Sequence, residues 1–379
     1  MSPTISRRGL LCGCAGLVAA GGLAGLADLG VAAAQQRDGS GERLRIGYLP
    51  ITDAAPLLVA DRGPRFAEPV LFRSWSALAE AFLTRQVDIA HLLMPMAIQL
   101  RFALGAPARI LGWNHTNGSA LTVAPQITEL GQLAGTQVAI PFWWSIHNIV
   151  IQQLLRANGL RPVIRSSASR SAGTVELIVM SPSDMIPALA NGSISAFTVA
   201  DPFNAGAQLR GVGRIHRFLG DNWRDHACCA LVVHQDLIDR RPDDAQLVAD
   251  MVVAAQQGIG ANRQGTARTL SGRYLPQPLP AITQSLTYSD RIPVRHPQWN
   301  PQRIGFQPFP FPSFTAELVA SMHDTAVDGD TRFLSRLDPA GVHADLVDDR
   351  FVRSALDHAG GPGAFGLPGL TRTEEIDPS

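Results

Sequence analysis

His226, Cys228 and Cys229 stand close together in the chain and are of metal-ligating type. The trio lacks the regular ligand spacing of a structural zinc site, so no metal is expected. A disulfide between adjacent cysteines would close a strained small ring, outside the usual Cα separation of about 4.4–6.8 Å. The other two cysteines, Cys12 and Cys14, fall in an N-terminal segment expected to be removed. No lysine occurs anywhere, so every fixed positive side chain is an arginine. That excludes a Schiff-base lysine and any ammonium point charge from whatever site the chain builds. Gly211-Val212-Gly213 lacks the third glycine of a nucleotide-binding turn, and no cofactor is expected.

The elements that must position such groups begin after an address. Ser6-Arg7-Arg8-Gly9-Leu10-Leu11 is a twin-arginine pattern, followed by a Gly/Ala/Leu stretch to about Leu26 and a small-residue cleavage site at Ala32-Ala33-Ala34. The stretch is at or below the ~20 apolar residues of a membrane-spanning helix. Residues 1–34 are read as a cleaved signal for export of the folded chain to the periplasm. Lipidation at the Leu11-Cys12-Gly13-Cys14 box is the lesser alternative, because it lies too near the arginines. Without Arg7, Arg8 and Asp28, the 32 basic and 32 acidic residues become 30 and 31. A balanced charge excludes the basic footprint of a nucleic-acid binder. With 379 residues, 46% of them hydrophobic, the chain is long enough for two or three domains.

Beyond a polar leader at 35–43, short apolar runs alternate with helical segments. Strands are expected at 44–49, 70–72, 87–92 and 108–113, with helices at 54–60, 75–84 and 95–103 between them. The pattern restarts with strands at 137–141, 176–179 and 196–200 and helices at 146–158 and 183–191. A strand at 231–233 and a long helix at 242–261 follow. Such alternation means βαβ units and mostly parallel sheets. The expected organisation is a first α/β lobe at 44–125, a second at 126–230, and a return to the first at 231–355. A Gly/Pro-rich tail occupies 356–379. Pro308-Phe309-Pro310-Phe311-Pro312 reads as a rigid strap over the first lobe, and of Trp143 and Trp144 one is expected to be buried. In open α/β sheets ligands bind at the carboxyl ends of strands. The loops at Pro50–Asp53, Ser74–Trp75, Pro141–His147 and Asp201–Phe203 lie at such ends. Asp53 and Asp201 also stand where helix caps and loop organisers stand.

The same loops carry a resemblance. Leu49-Pro50-Ile51-Thr52-Asp53-Ala54-Ala55-Pro56-Leu57, Ser74-Trp75, Ala90 to Met96, Asn117-Gly118-Ser119-Ala120, Ser145-Ile146-His147-Asn148, Phe197 to Phe203 and Asn222 to His226 occur in the order seen in nitrate- and bicarbonate-binding proteins of ABC importers. Those belong to the wider nitrate/sulfonate/taurine solute-binding group, and the similarity spans roughly residues 44–355. The resemblance implies a type II periplasmic-binding-protein fold, two α/β lobes with a ligand cleft between them, and no catalysis. It implies a small-molecule anion as ligand, nitrate-like first, then bicarbonate or a sulfonate. ABC permease and ATPase subunits are the implied partners, with the membrane reached only through the permease. Trp75 matches a ligand-site tryptophan, His147 a ligand-facing histidine, and Val199 a segment that lends backbone to the site. Ser119 stands where nitrate binders carry glutamine, and Cys229 where they carry lysine, with Arg224 or His226 as spatial substitutes. Thr52, Trp75, Ser119, His147, Val199, Asp201, His226 and Cys229 are therefore the expected binding residues. An exported or membrane-associated sensor, and an enzyme resembling thiamin-pyrimidine synthases, are the alternatives.

Overall fold

The computed structural model describes residues 43–60, 68–288 and 303–378. The twin-arginine segment and most of the leader lie outside the described residues. Two mixed sheets organise the chain. The first has the order β2-β1-β3-β11-β4, built from β1 (Arg45–Tyr48), β2 (Glu68–Leu71), β3 (Ile89–Leu93), β4 (Ala108–Trp113) and β11 (Cys229–His234). The second has the order β10-β5-β9-β6-β8-β7, from β5 (Ser119–Val123), β6 (Gln137–Ile140), β7 (Arg161–Val163), β8 (Thr174–Val179), β9 (Ala196–Ala200) and β10 (Arg214–Phe218). β1 pairs in parallel with β2 and β3, as β6 does with β8 and β9; β11 and β5 are the antiparallel members. The central strands β3, β5, β9 and β11 are buried along their whole length, so none of them alternates buried with exposed residues.

β5 is the main departure from expectation. It falls before the expected boundary at residue 125, yet pairs with β9 in the second sheet. The chain therefore leaves the first sheet at the end of β4 and crosses at 114–118. It recrosses at 219–228, between β10 and β11. Neither β5 nor β10 was expected; Ser119 and the charged β10 sequence RIHRF hid them from an apolar-run reading. The strap is borne out: Pro308 O accepts from Trp113 N at 2.8 Å, while Phe309 and Phe311 are buried against the same edge. Of the tryptophan pair, Trp144 is buried, with its ring edge-on to Phe333. The C-terminal residues are more than a tail: Trp223 Nε1 donates to Glu374 Oε2 at 2.9 Å and Asp377 N to Asn222 O at 2.8 Å, docking this segment on the second crossing. Among the described residues no helix is long and apolar enough to cross a membrane.

Two helices matter most for the site, and each is started by a serine. Ser74 Oγ accepts from Ala77 N at 3.2 Å and opens the helix Trp75–Leu83 after β2. Ser145 Oγ accepts from Asn148 N at 3.1 Å and opens Ile146–Ala157 after β6. A serine hydroxyl satisfies one of the orphan N–H groups of a first turn. The two caps thereby fix Trp75 and His147 in the first turns of helices at the carboxyl ends of parallel strands.

Candidate functional site

Side chains from both sheets and both crossings meet in a region closed to solvent. Ser119, the first residue of β5, places its Oγ 2.9 Å from His147 Nε2. The same ring nitrogen lies 4.0 Å from Cys228 Sγ, and Cys229 Sγ donates to Cys228 Sγ at 3.7 Å. Asp53, from the turn after β1, faces His115 of the first crossing, with Oδ2 to Nε2 at 3.1 Å. Asp53, His115, Ser119, His147, Cys228 and Cys229 are all 0% exposed. The sheets also touch through Thr52, whose N and Oγ1 both donate to Asp201 O, at 2.8 and 3.1 Å.

Burial raises Asp53 to about 6, and the nearby His115 only partly opposes that. His115 would be pushed down by its burial, but the Asp53 carboxylate and Cys228 together more than offset this and lift it to about 10. His91, on β3 with its ring 6.0 Å from that of His115, is lowered to about 3 by burial and by the His115 charge. Burial raises both cysteines, yet donation from Cys229 and the adjacent histidines bring Cys228 well below the ordinary thiol value; Cys229 stays well above it. Burial also lifts Asp201 to about 7 against the donors Ala205 N (3.1 Å) and Tyr288 OH (2.9 Å).

The expected binding residues divide into those at this centre and those committed elsewhere. Ser119, His147 and Cys229 are brought together. Trp75 is buried at a strand end, and its indole N–H has no partner among the described residues. Thr52 and Asp201 spend their polar groups on each other and on Ala205 and Tyr288. Val199 O accepts from Asn204 Nδ2 at 2.8 Å, so its carbonyl is engaged within the second sheet's own layer. His226 binds Trp223 O through Nδ1 at 2.8 Å, and its Nε2 has no partner among the described residues. Arg224 is no substitute cation: it pairs with Glu375 at 3.1 Å on the docked C-terminal segment. Nor is Asp53 a helix cap. It sits inside the short 3-10 turn Thr52–Ala54, whose cap position, Ile51, has no side-chain bond, and it turns inward to His115.

Sequence reasoning missed His115 and Cys228. His115 follows a strand and precedes the motif Asn117-Gly118-Ser119, with nothing in its spacing to link it to Asp53 sixty-two positions earlier. Cys228 was visible beside Cys229, but a strand register cannot say which thiol meets the histidines.

Two sheets, two chain crossings and a polar centre enclosed at the crossings define the fold of periplasmic solute-binding proteins. The periplasmic nitrate-binding protein NrtA from Synechocystis aligns with a TM-score of 0.74 at 19% identity, covering 89% of this chain and 94% of that one. A ligand-binding component of an ABC-type import system from Staphylococcus aureus, solved with zinc bound, aligns at 0.67 and 20% identity, over 83% of this chain and 99% of that one. In sequence, the nitrate/nitrite binding protein NrtA of Nostoc sp. is 26% identical over 243 residues, 57% of this chain and 53% of that protein. The chain spans about half the length of the curated relatives it matches. Residues 38–271 match the NMT1-like family, and the chain belongs to it.

Proposed function

We propose that the chain is the exported solute-binding receptor of an ABC importer, handing a small oxyanion to permease and ATPase subunits. Nitrate is the first candidate, then bicarbonate or a sulfonate. The observation that carries this reading is the Ser119–His147 pair. It sits at the carboxyl end of β6 and the start of β5, closed to solvent, with His147 Nδ1 and the Trp75 indole unpartnered among the described residues. Buried donors without partners are costly unless something accepts from them, and an oxyanion accepts from several at once. Because the centre is closed, ligand must enter through lobe opening, and binding favours the closed state only by its differential affinity.

The test is calorimetric titration with nitrate, nitrite, bicarbonate and short sulfonates, alongside thermal-shift screening of other solute classes. One of the anions is expected to bind, and Ser119→Ala or His147→Gln to weaken it about tenfold or more, the scale of a hydrogen bond to a charged group. The reading fails if none of the anions binds while another solute class raises the melting temperature.

A further inference from the structure

We propose that Asp53, His115, Cys228 and Cys229 form a binding site for one thiophilic divalent ion of the zinc class, set at the hinge where the chain crosses between the sheets. One ligand atom from each of the four lies within 4.8 Å of the corresponding atoms of the others. The pairwise distances carry the geometry. In a tetrahedral site with Zn–S near 2.3 Å, two sulfurs stand about 3.8 Å apart, and a nitrogen and an oxygen at about 2.05 Å stand about 3.3 Å apart. Cys228 and Cys229 present their sulfurs at 3.7 Å, and His115 Nε2 and Asp53 Oδ2 are 3.1 Å apart. Two edges of such a tetrahedron are therefore close to ligand spacing already, and the remaining pairs lie within 4.8 Å.

The donor types select the ion. Two thiols and an imidazole suit a soft or borderline d10 metal, whereas calcium and magnesium take oxygen ligands throughout. A second observation points the same way. Asp53 Oδ1 and His115 Nδ1 are fully buried with no hydrogen-bond partner among the described residues, while Asp53 Oδ2 and His115 Nε2 have each other at 3.1 Å. Buried polar atoms of this kind are rare and ask for a partner. The backbone packs closely on this carboxylate: Gly118 has φ +83°, and a Cβ there would come within 2.9 Å of Asp53 Oδ1.

The placement gives the ion a role. Asp53 follows β1, His115 lies in the first crossing, and the two cysteines end the second. A bound ion ties these three segments together at the hinge. It brings no net positive charge to Ser119 and His147: two thiolates and the Asp53 carboxylate outweigh a divalent ion, and binding releases the protons held by the thiols and by His115. The metal site does not rest on the receptor reading.

The full chain, purified with its thiols reduced, is titrated with Co²⁺ and then with Zn²⁺ against a chromophoric chelator, with no anion added. One equivalent is expected, with thiolate-to-cobalt charge-transfer absorption and the strong visible bands of tetrahedral cobalt. Losing a supporting group outside the ligand shell costs 10–100-fold in affinity, so Cys228→Ser and His115→Gln should each cost about 100-fold or more. Cys229→Ser should reduce the charge-transfer intensity by about half. Ser119→Ala, adjacent to the cluster and outside it, should keep the stoichiometry and change affinity only a few-fold. Near-ultraviolet circular dichroism checks the fold of each variant, and the wild-type cobalt spectrum is decisive even where a variant fails to fold. Absence of binding by the reduced wild-type chain overturns the proposal, as does a spectrum without charge transfer or an undiminished metal affinity in folded Cys228→Ser. Nitrate and bicarbonate are then titrated into metal-free and metal-loaded chain. Metal binding with no anion response supports the site and removes the receptor reading; an anion response without metal binding does the reverse.

Discussion

Gly118→Ala perturbs the joint between β5 and the Asp53–His115 pair, and its cost can be worked out in two parts. Gly118 has φ +83°, a conformation that costs an L-residue roughly 1–2 kcal/mol. The new methyl would also lie 2.9 Å from Asp53 Oδ1 and 3.2 Å from Ile304 Cγ1. Asp53 cannot swing away without leaving His115, so the contact should cost about 1–3 kcal/mol, the range for overpacking a filled interior. The total is about 2–5 kcal/mol. Gly105→Ala is the control: φ is +67° and nothing lies within 4 Å of the added carbon, so only the backbone part applies. Urea denaturation should show a lower midpoint for both variants at unchanged slope, with Gly118→Ala the more damaging. In an Asp53→Ala background the clash with the carboxylate is gone, and Gly118→Ala should cost about 1 kcal/mol or more less than in wild type. Equal losses for the two glycines, or an unchanged loss in the Asp53→Ala background, would refute the packing described around Asp53.

Three further outcomes are expected. Asp201 holds its proton to about pH 7 against an ordinary value of 3.8, so its contribution to stability is full below about pH 4 and is lost as pH rises towards 7. Asp201→Asn should flatten the fall in melting temperature across that window, measured by scanning calorimetry. His234 is the opposite case: burial, then Arg85, holds it well below 6.5, so stability is full above that pH and is lost as pH falls. His234→Phe, which keeps a ring stacked on Phe82 at 3.8 Å, should reduce the acid sensitivity of the melting temperature. Gln256 Nε2 donates to Trp113 O at 2.9 Å and Asn114 O at 2.7 Å, so Gln256→Leu leaves two buried carbonyls short of a donor. A loss of about 1–3 kcal/mol in urea unfolding is expected, with no change in slope.

Where an element is long and its pattern regular, the sequence and the structure agree closely. The expected helix at 242–261 and strand at 196–200 have the observed bounds: Pro242 opens the helix and Asn262 caps it, and Asp201-Pro202 follows the strand. Trp75 and His147 were legible as strand-end residues because the apolar runs before them end in loops. β5 was not legible, since a strand that begins at the far end of an interlobe crossing has no turn chemistry of its own to announce it. The Asp53–His115 contact and the thiol pairing were invisible for a deeper reason. They depend on how two crossings lie against the turn after β1, and that is tertiary packing, with no period in the chain.

The charge at the centre then bears on what can bind there. Apart from histidine, the chain can place only guanidinium groups beside an anion, and Arg224, the candidate nearest in sequence, is spent on Glu375. A direct anion site would thus lean on His147, on donors without a partner among the described residues such as Trp75 Nε1, and on backbone N–H groups, next to the Asp53–His115 pair and two thiols. A carboxylate and a thiolate repel an oxyanion at close range and attract a cation. The same residues that weaken the case for a bare anion therefore strengthen the case for a metal at the hinge. If an anion does bind at Ser119 and His147, filling the metal site should not tighten it, because two thiolates and a carboxylate outweigh the charge of a divalent ion. Whatever factor the ion imposes on the anion's affinity, reciprocity requires the anion to impose on the ion's.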